Sequence, residues 1–252
     1  MAELRNLVIV LGDQLDLDAA AFDDFDAAHD AVWMAEVAEE STHVWSSKPR
    51  TVMFLAGMRH FAQALCAAGR PLHYTALDAE GNRGSLQAQL QSDIERLHPA
   101  QLVMTAPGDW RVLQAIKAAA QAQGLPLDLR EDRHFYCSVR EFAAHARGRK
   151  SLRMEYFYRE MRKRHNVLMG GEAGNEPEGG QWNFDADNRE SFGTAGPGAV
   201  PPRGVFMPDA ITREVIALVE ARFATHPGRL DSFAWPVTRE QALVSLQRFI
   251  NE

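Results

Sequence analysis

The chain contains little cysteine and no long hydrophobic run, and both features narrow what it can be. Its 252 residues include two cysteines, Cys66 and Cys137, too few to build an iron–sulfur cluster or a structural zinc site from cysteines alone. No stretch approaches the roughly 18 apolar residues that a membrane span requires. The N-terminus also lacks a long apolar signal segment. We therefore expect a cytoplasmic protein without membrane segments, whose two thiols are buried as small hydrophobic side chains.

Common catalytic and phosphate-binding motifs are also missing. The sequence has no G-x-x-x-x-G-K-[ST] loop, no G-x-G-x-x-G after its first predicted strand and no G-x-S-x-G nucleophile turn. Nine histidines are scattered without metal-ligand spacing. We therefore predict neither catalytic residues nor a metal site in this chain. The segment Thr105–Trp110 provides a helix N-terminus that could hold an anion, although such segments are more often plain strand–helix junctions.

The net charge of −7 is unevenly distributed along the chain. Residues 1–50 contain eleven acidic and three basic residues, whereas residues 130–164 contain eleven basic and five acidic residues. A basic stretch within an acidic protein is a candidate nucleic-acid surface. Charge alone favours the alternative, a solvated helix face with internal ion pairs.

Short apolar runs alternate with segments of helical periodicity over the first 130 residues. The predicted strands are Leu7–Leu11, Ala31–Met34, Leu72–Leu77, Leu102–Thr105 and Leu127–Leu129. The predicted helices are 50–68, 86–97, 110–123, 139–146, 151–166, 209–223 and 238–250. This alternation is typical of parallel βαβ units. The predicted fold is α/β, a Rossmann-like parallel sheet of about five strands with flanking helices, followed by a long linker and the first helices of an all-α region.

The composition changes sharply between Gly170 and Pro208. These 39 residues hold nine of the 18 glycines and five of the 12 prolines, which is typical of an irregular connection. We predict an α/β domain over residues 1–135, basic helices and a linker over 136–208, and the incomplete start of a helical domain over 209–252.

Polar residues follow the first two predicted strands. Gly12 and Asp13 come after strand one, and Glu36 and Glu40 after strand two. Ligands of open parallel sheets bind at the carboxyl ends of the strands, so these residues are candidate ligand contacts. An acidic rim suits a neutral polyol or heterocycle better than a phosphate. The alternative is that Asp13 caps a turn and both glutamates are solvated.

The segment from Gly148 to Arg162 alternates arginines with aromatic residues. Such a pattern can bind nucleic acid, because arginine contacts phosphates and aromatic rings stack on bases. The segment also fits an amphipathic helix whose tyrosines belong to the core. Taken by itself, the pattern favours that helix.

Seven motifs together resemble one family along nearly the whole chain. They are Leu11–Leu15, Met34–Val37, Met58–Ala62, Pro107–Val112, Gly148–Lys150, Met154–Arg162 and Gly179–Asp185. In this order they resemble the photolyase-related proteins of bacteria, the iron–sulfur cryptochromes and (6-4) photolyases. The resemblance implies a protein of about twice this length, of which the present chain matches the first half.

The resemblance also implies cofactors and partners. The N-terminal half of such proteins holds an antenna chromophore, 6,7-dimethyl-8-ribityllumazine. The C-terminal half holds FAD and a [4Fe–4S] cluster, and the flavin repairs (6-4) lesions in DNA or senses blue light. The present chain would then be an antenna-type part that is inactive in catalysis alone and works with a C-terminal flavin domain, in cis or in trans.

The family's functional residues can be placed on matching positions of this sequence. The pigment pocket is implied at Gly12, Asp13, Ala35, Glu36, Glu40, His43 and Phe54, and DNA contacts are implied at Gln181 and Arg189. Phe54 stands where a smaller aliphatic residue is expected, which implies a narrower pocket. His43 replaces an expected aromatic phenol.

Two functions of other classes fit the residues as well. One is a stand-alone α/β module that binds a small molecule or a partner protein without catalysis. The other is a nucleic-acid-binding protein that uses the arginine-rich stretch.

Overall fold

The computed structural model describes residues 4–171, 174–185, 189 and 191–251. Five parallel strands form one sheet in the order β3-β2-β1-β4-β5. The strands are β1 (Asn6–Ile9), β2 (Asp30–Ala35), β3 (Leu72–Thr75), β4 (Gln101–Thr105) and β5 (Leu127–Arg130). The helices are α1 (Glu39–Thr42), α2 (Lys48–Ala67), α3 (Leu86–Leu97), α4 (Trp110–Ala122), α5 (Val139–Ala146), α6 (Met154–His165), α7 (Ala210–Arg222) and α8 (Arg239–Asn251). The predicted α/β class and its parallel five-stranded sheet are confirmed.

Helices cover both faces of the sheet, as the continuous apolar strands require. Successive strand residues point to opposite faces, so Val8 and Val32 pack under α2 while Leu7 and Trp33 pack under α3 and α4. The Trp33 indole is completely buried and donates a hydrogen bond from Nε1 to Asp93, 2.9 Å away. Two separate apolar layers therefore hold the sheet rigid.

Residues 203–252 form one compact unit with residues 1–132. Helix α7 packs against α2 and buries Val215 and Val219 completely in the same apolar layer. Before α8, the Thr238 hydroxyl accepts a hydrogen bond from the Gln241 N–H, while the Gln241 side chain accepts one from the Val237 N–H. These two bonds form a variant of the capping box that Thr238-x-x-Gln241 suggests. The predicted boundaries at residues 135 and 208 stay a prediction.

Residues 133–202 form a second compact unit. Within it, α5 and α6 meet through the rings of Phe142 and Phe157, whose centroids lie 5.0 Å apart. Arg164 of α6 forms an ion pair with Glu141 of α5. Two short antiparallel strands, β6 (Met169–Gly170) and β7 (Glu176–Pro177), lie inside the segment expected to be irregular. This hairpin was not predicted because two-residue strands leave no periodic pattern.

The structure corrects two expectations about burial. Cys66 is exposed and Cys137 only half-buried, so the thiols are not core residues. Tyr156 and Tyr158 of α6 are 53% and 49% exposed, so these tyrosines lie on the surface rather than in the core. The core-facing interpretation failed because α6 buries mainly Met161 and Arg162. None of the helices within the described residues is long and apolar enough to cross a membrane.

Candidate functional site

A cavity of about 320 Å³ lies at the carboxyl ends of β1, β2 and β4. Strand β1 lies between β2 and β4, so the strand order reverses direction beside this cavity. Open α/β sheets bind ligands at such a switch point. The apolar part of the wall includes Val10, Leu11, Val37, Val44, Leu55, Met58, Leu86 and Val112.

All seven residues that the resemblance implies for a pigment pocket line this cavity. They are Gly12, Asp13, Ala35, Glu36, Glu40, His43 and Phe54. They come from four separate segments, which the parallel strands bring to one edge of the sheet. This arrangement places the implied pocket residues together at the cavity.

Gly12 permits the close approach of α2 to the end of β1. A Cβ atom at this position would lie 3.0 Å from Sδ of Met58 and 3.7 Å from the Phe54 ring. A residue larger than glycine would therefore force Met58 to shift, whereas the Phe54 ring would remain in ordinary van der Waals contact. Gly12 thus leaves room for Met58, which also lines the cavity.

Asp13 sits in a tight turn in which the Gln14 N–H bonds to the Leu11 carbonyl. Asp13 is exposed to solvent, but the surrounding protein still displaces part of the hydration of its carboxyl group. This burial raises the pKa of Asp13, and the nearby carboxylates of Glu40, Asp109 and Asp132 raise it further, against a backbone N–H that lowers it. The surroundings of Asp13 thus disfavour its negatively charged form. Perturbed pKa values of this kind are typical of functional sites.

The substitution Asp13→Asn is therefore expected to stabilise the protein at neutral pH. A carboxyl group whose pKa is raised by folding destabilises the folded state once it ionises. The free energy of unfolding therefore falls as the pH rises from about 3.9, the ordinary aspartate pKa, through the raised pKa of the folded protein. Thermal unfolding of both proteins at pH 7.5 and pH 3 checks this. The asparagine variant should melt higher at pH 7.5, and the difference should vanish at pH 3. A lower melting temperature at pH 7.5 would contradict the assignment.

Glu36 is buried and its carboxylate is fully used inside the protein. Its two oxygens accept bonds from Arg59 Nε and Nη2 at 2.8 and 3.0 Å, from the Tyr74 hydroxyl and from the Leu77 N–H at 2.7 Å. Burial and the Glu36 charge raise the pKa of Tyr74, so its phenol stays protonated and donates. The four acceptor positions of the carboxylate are all taken. Glu36 is therefore not solvated, and its side chain has no free acceptor for a ligand.

Glu40, which lies in the cavity wall, forms a bidentate ion pair with Arg111. Both of its oxygens accept hydrogen bonds from the Arg111 guanidinium, each at 2.9 Å. This bond raises the pKa of Arg111, which keeps its charge throughout the physiological range. Asp109, which precedes α4, lies 3.4 Å from the same guanidinium. Arg111 thus ties α1 to the start of α4.

The remaining wall comes from the start of α2 and the segment before it. His43 is exposed at the end of α1 and donates from Nδ1 to the Glu39 carbonyl, 3.1 Å away. The Phe54 ring forms part of the wall, and the Arg50 guanidinium lies 5.6 Å from its centroid. The cavity remains open beside this bulky ring, at a volume near the lower end of the range for ligand sites.

The two predicted DNA contacts lie in the second unit. Gln181 and Arg189 are both exposed. Beside Gln181, the Trp182 ring has three cations within 5.3–5.5 Å of its centroid, from Arg159, Arg162 and Lys163 of α6. Arg162 itself is buried, but exposed Lys163 and partly exposed Arg159, together with exposed Tyr156 and Tyr158, give this unit a basic and aromatic surface.

Sequence reasoning missed the residues that hold two glutamates of the cavity wall in place. Arg59, Tyr74 and Arg111 hold the two glutamates, but they lie 23, 38 and 71 positions from their partners. No local pattern links residues at such separations. Arg59 and Arg111 do lie within the quoted motifs, which was the available sign of their importance. Within the described part of the chain, no group of three or more His, Cys, Asp or Glu side chains could hold a metal ion.

Comparison with known proteins agrees with the motifs. Residues 8–235 match the family described as deoxyribodipyrimidine photo-lyase-related protein. The chain belongs to this photolyase-related family. The match begins within β1 and extends beyond α7, so it includes all of the sheet except the first two residues of β1, and it includes the cavity at the edge of the sheet.

One curated protein is similar along almost the entire chain. It is named "(6-4) photolyase", from Agrobacterium fabrum (strain C58 / ATCC 33970), and is 42% identical over 250 residues. The aligned region covers 99% of the present chain and 48% of that relative. The chain therefore spans about half the length of the curated relative that it matches.

Proposed function

We propose that this chain is the antenna-type part of a photolyase-related protein and that its cavity binds 6,7-dimethyl-8-ribityllumazine. The pigment would absorb light and pass the excitation to a flavin in a separate C-terminal domain, in cis or in trans. The observation that carries this proposal is that seven residues implied by resemblance line one cavity at the switch point of the sheet. FAD and a four-cysteine cluster would belong to that other domain, since this chain has two cysteines.

The size and chemistry of the cavity fit such a pigment. A volume of about 320 Å³ suits one small heterocycle with a short polyol chain rather than a dinucleotide. Val37, Leu55 and Met58 provide an apolar wall for the ring. Asp13 provides an acceptor for a ring N–H or a hydroxyl. The Asp13 carboxylate accepts a hydrogen bond from its own backbone N–H. A hydrogen-bond donor on the bound pigment would stabilise the negative charge of this carboxylate further.

A tryptophan at position 54 tests whether the pigment occupies this cavity. Phe54→Trp enlarges a wall that already narrows the space, so we expect the dissociation constant for the lumazine to rise about tenfold or more. Fluorescence titration of the purified chain measures this. Phe135→Trp, at an exposed phenylalanine in the second unit, is the matched control and should bind like the parent. Equal affinity for the Phe54→Trp variant would place the pigment elsewhere.

We also propose that the second unit contacts DNA, as the name of the curated relative and the basic surface suggest. Arg189 and Gln181 are exposed, Gln181 directly precedes the Trp182 ring with its neighbouring cations, and exposed Tyr156 and Tyr158 add faces on which bases could stack. Repair of (6-4) lesions would require the flavin domain as well. This proposal concerns binding alone.

Arg189→Ala is expected to weaken DNA binding by removing one phosphate contact. The slope of log affinity against log salt should fall by about one unit, because one fewer counterion is released. Fluorescence anisotropy with a labelled duplex over a range of salt concentrations measures both effects. Arg229→Ala, which removes an exposed arginine of the first unit, controls for the change in net charge. An unchanged slope for the Arg189 variant would remove this residue from the DNA contact.

A further inference from the structure

The start of α4 is the place beside the cavity where a phosphate would be expected to bind. Helix N-termini at the carboxyl ends of parallel strands carry free backbone N–H groups and a partial positive charge. Here the Asp109 carboxylate already occupies that position. It accepts hydrogen bonds from the backbone N–H groups of Arg111 at 2.7 Å and Val112 at 3.4 Å. These bonds lower the pKa of Asp109, against the opposing effect of partial burial, so it remains negatively charged.

The guanidinium of Arg111, in the first turn of α4, is already paired with carboxylates of the protein. Arg111 gives two hydrogen bonds of 2.9 Å to Glu40 and lies 3.4 Å from Asp109. Two carboxylates therefore face one guanidinium. A phosphate entering here would have to displace Glu40 and would also meet the charge of Asp109.

The start of α2, which also lies beside the cavity, offers little to an anion. The Lys48 N–H is bonded to the Pro227 carbonyl at 2.8 Å, and Pro49 has no N–H. The Lys48 ammonium is paired with Glu220 at 2.6 Å. Arg50 is a cation in the cavity wall, and a phosphorylated ligand would have to rely on it. Asp13 places a further negative charge in the same wall.

We propose that this cavity selects ribityl heterocycles without a phosphate and rejects their phosphorylated forms, because Asp109 and Glu40 occupy the positions that would bind a phosphate. The selectivity rests on the proposed pigment-binding function and adds a ligand class to it. Riboflavin and FMN form a matched pair of probes, since they differ only in the phosphate. That phosphate carries a charge of about −1.5 to −2 at pH 7, and repulsion from each nearby carboxylate weakens binding by about tenfold.

The test compares dissociation constants for riboflavin, FMN and the lumazine by fluorescence titration at low salt. We expect the parent chain to bind riboflavin and the lumazine at least tenfold more tightly than FMN, with the gap narrowing as salt is added. Asp109→Ser keeps a helix-capping side chain but removes the charge. In this variant the affinity for FMN should rise relative to the affinity for riboflavin. Glu40→Gln, which releases Arg111, should have the same effect. Asp231→Asn, whose carboxylate pairs with Arg229 outside the cavity wall, should leave the ratio unchanged.

The possible results separate this inference from the proposed function. Tight binding of FMN and riboflavin alike would overturn the selectivity and leave pigment binding standing. So would a gap that neither Asp109→Ser nor Glu40→Gln reduces. Failure of the lumazine and of both flavins to bind would overturn pigment binding, and the selectivity with it.

Discussion

Replacing Glu36 by alanine is expected to destabilise the protein by about 3–5 kcal/mol, the cost of removing one partner from a buried ion pair. The substitution would leave the Arg59 guanidinium, the Tyr74 hydroxyl and the Leu77 N–H without their acceptor. Arg59 would stay charged in the variant, because a guanidinium does not lose its proton in proteins, so the substitution would leave a largely buried cation without this partner. Such a loss is a large share of the 5–15 kcal/mol that a typical domain possesses. Urea denaturation followed by circular dichroism measures it.

Two variants test the reason for this loss. Glu39→Ala removes a neighbouring, half-buried glutamate and should change stability by no more than about 0.5 kcal/mol. The double variant Glu36→Ala, Arg59→Ala should cost less than the two single changes added together, because both belong to one network. Loss of less than 1 kcal/mol in Glu36→Ala would contradict a structural role for the carboxylate.

Removing the Asp13 carboxylate is expected to have the largest effect on ligand binding. If Asp13 accepts a hydrogen bond from the pigment, Asp13→Ala should raise the dissociation constant for the lumazine about 10- to 100-fold. The affinity of the parent chain should also fall as the pH is lowered through the raised pKa of Asp13. The nearby carboxylates of Glu40, Asp109 and Asp132 raise the pKa of Asp13 further, so this loss of affinity should begin at a higher pH. Fluorescence titrations from pH 8 to pH 4 measure both effects.

The Asp13→Asn variant separates a binding role from a structural one. Asparagine removes the charge and leaves a weaker acceptor, so affinity should fall while stability at neutral pH rises. A residue that merely supports the fold would lower both quantities when replaced. Unchanged lumazine affinity in Asp13→Asn, together with unchanged pH dependence, would remove Asp13 from the binding site.

The fold was largely predictable because its signals are local. The runs Leu7–Leu11 and Leu102–Thr105 are continuously apolar, as strands buried on both faces must be, and the bounds predicted for α3 and α5 match the observed ones. The position of the cavity followed from the rule that parallel strands present their carboxyl ends at one edge. Local patterns could not predict which residues distant in the sequence form hydrogen bonds and ion pairs with one another.

Glu36 and Glu40 illustrate that limit. Both were predicted as ligand contacts from their place after β2, and both line the cavity. Their carboxylates, however, are held by Arg59 and Arg111, which come from distant helices. The exposure of Tyr156 also depended on which side of α6 meets its neighbours, and amphipathic spacing alone did not specify that. Charge partners and helix orientation are tertiary properties, and they decide which candidate residues are free to bind.

The most direct test of pigment binding is the absorption spectrum of the purified chain after incubation with 6,7-dimethyl-8-ribityllumazine and removal of free pigment. We expect one equivalent of retained pigment with a band near the violet, and much less retention in Asp13→Ala at equal protein concentration. A colourless protein after reconstitution, with the parent chain correctly folded by circular dichroism, would contradict it.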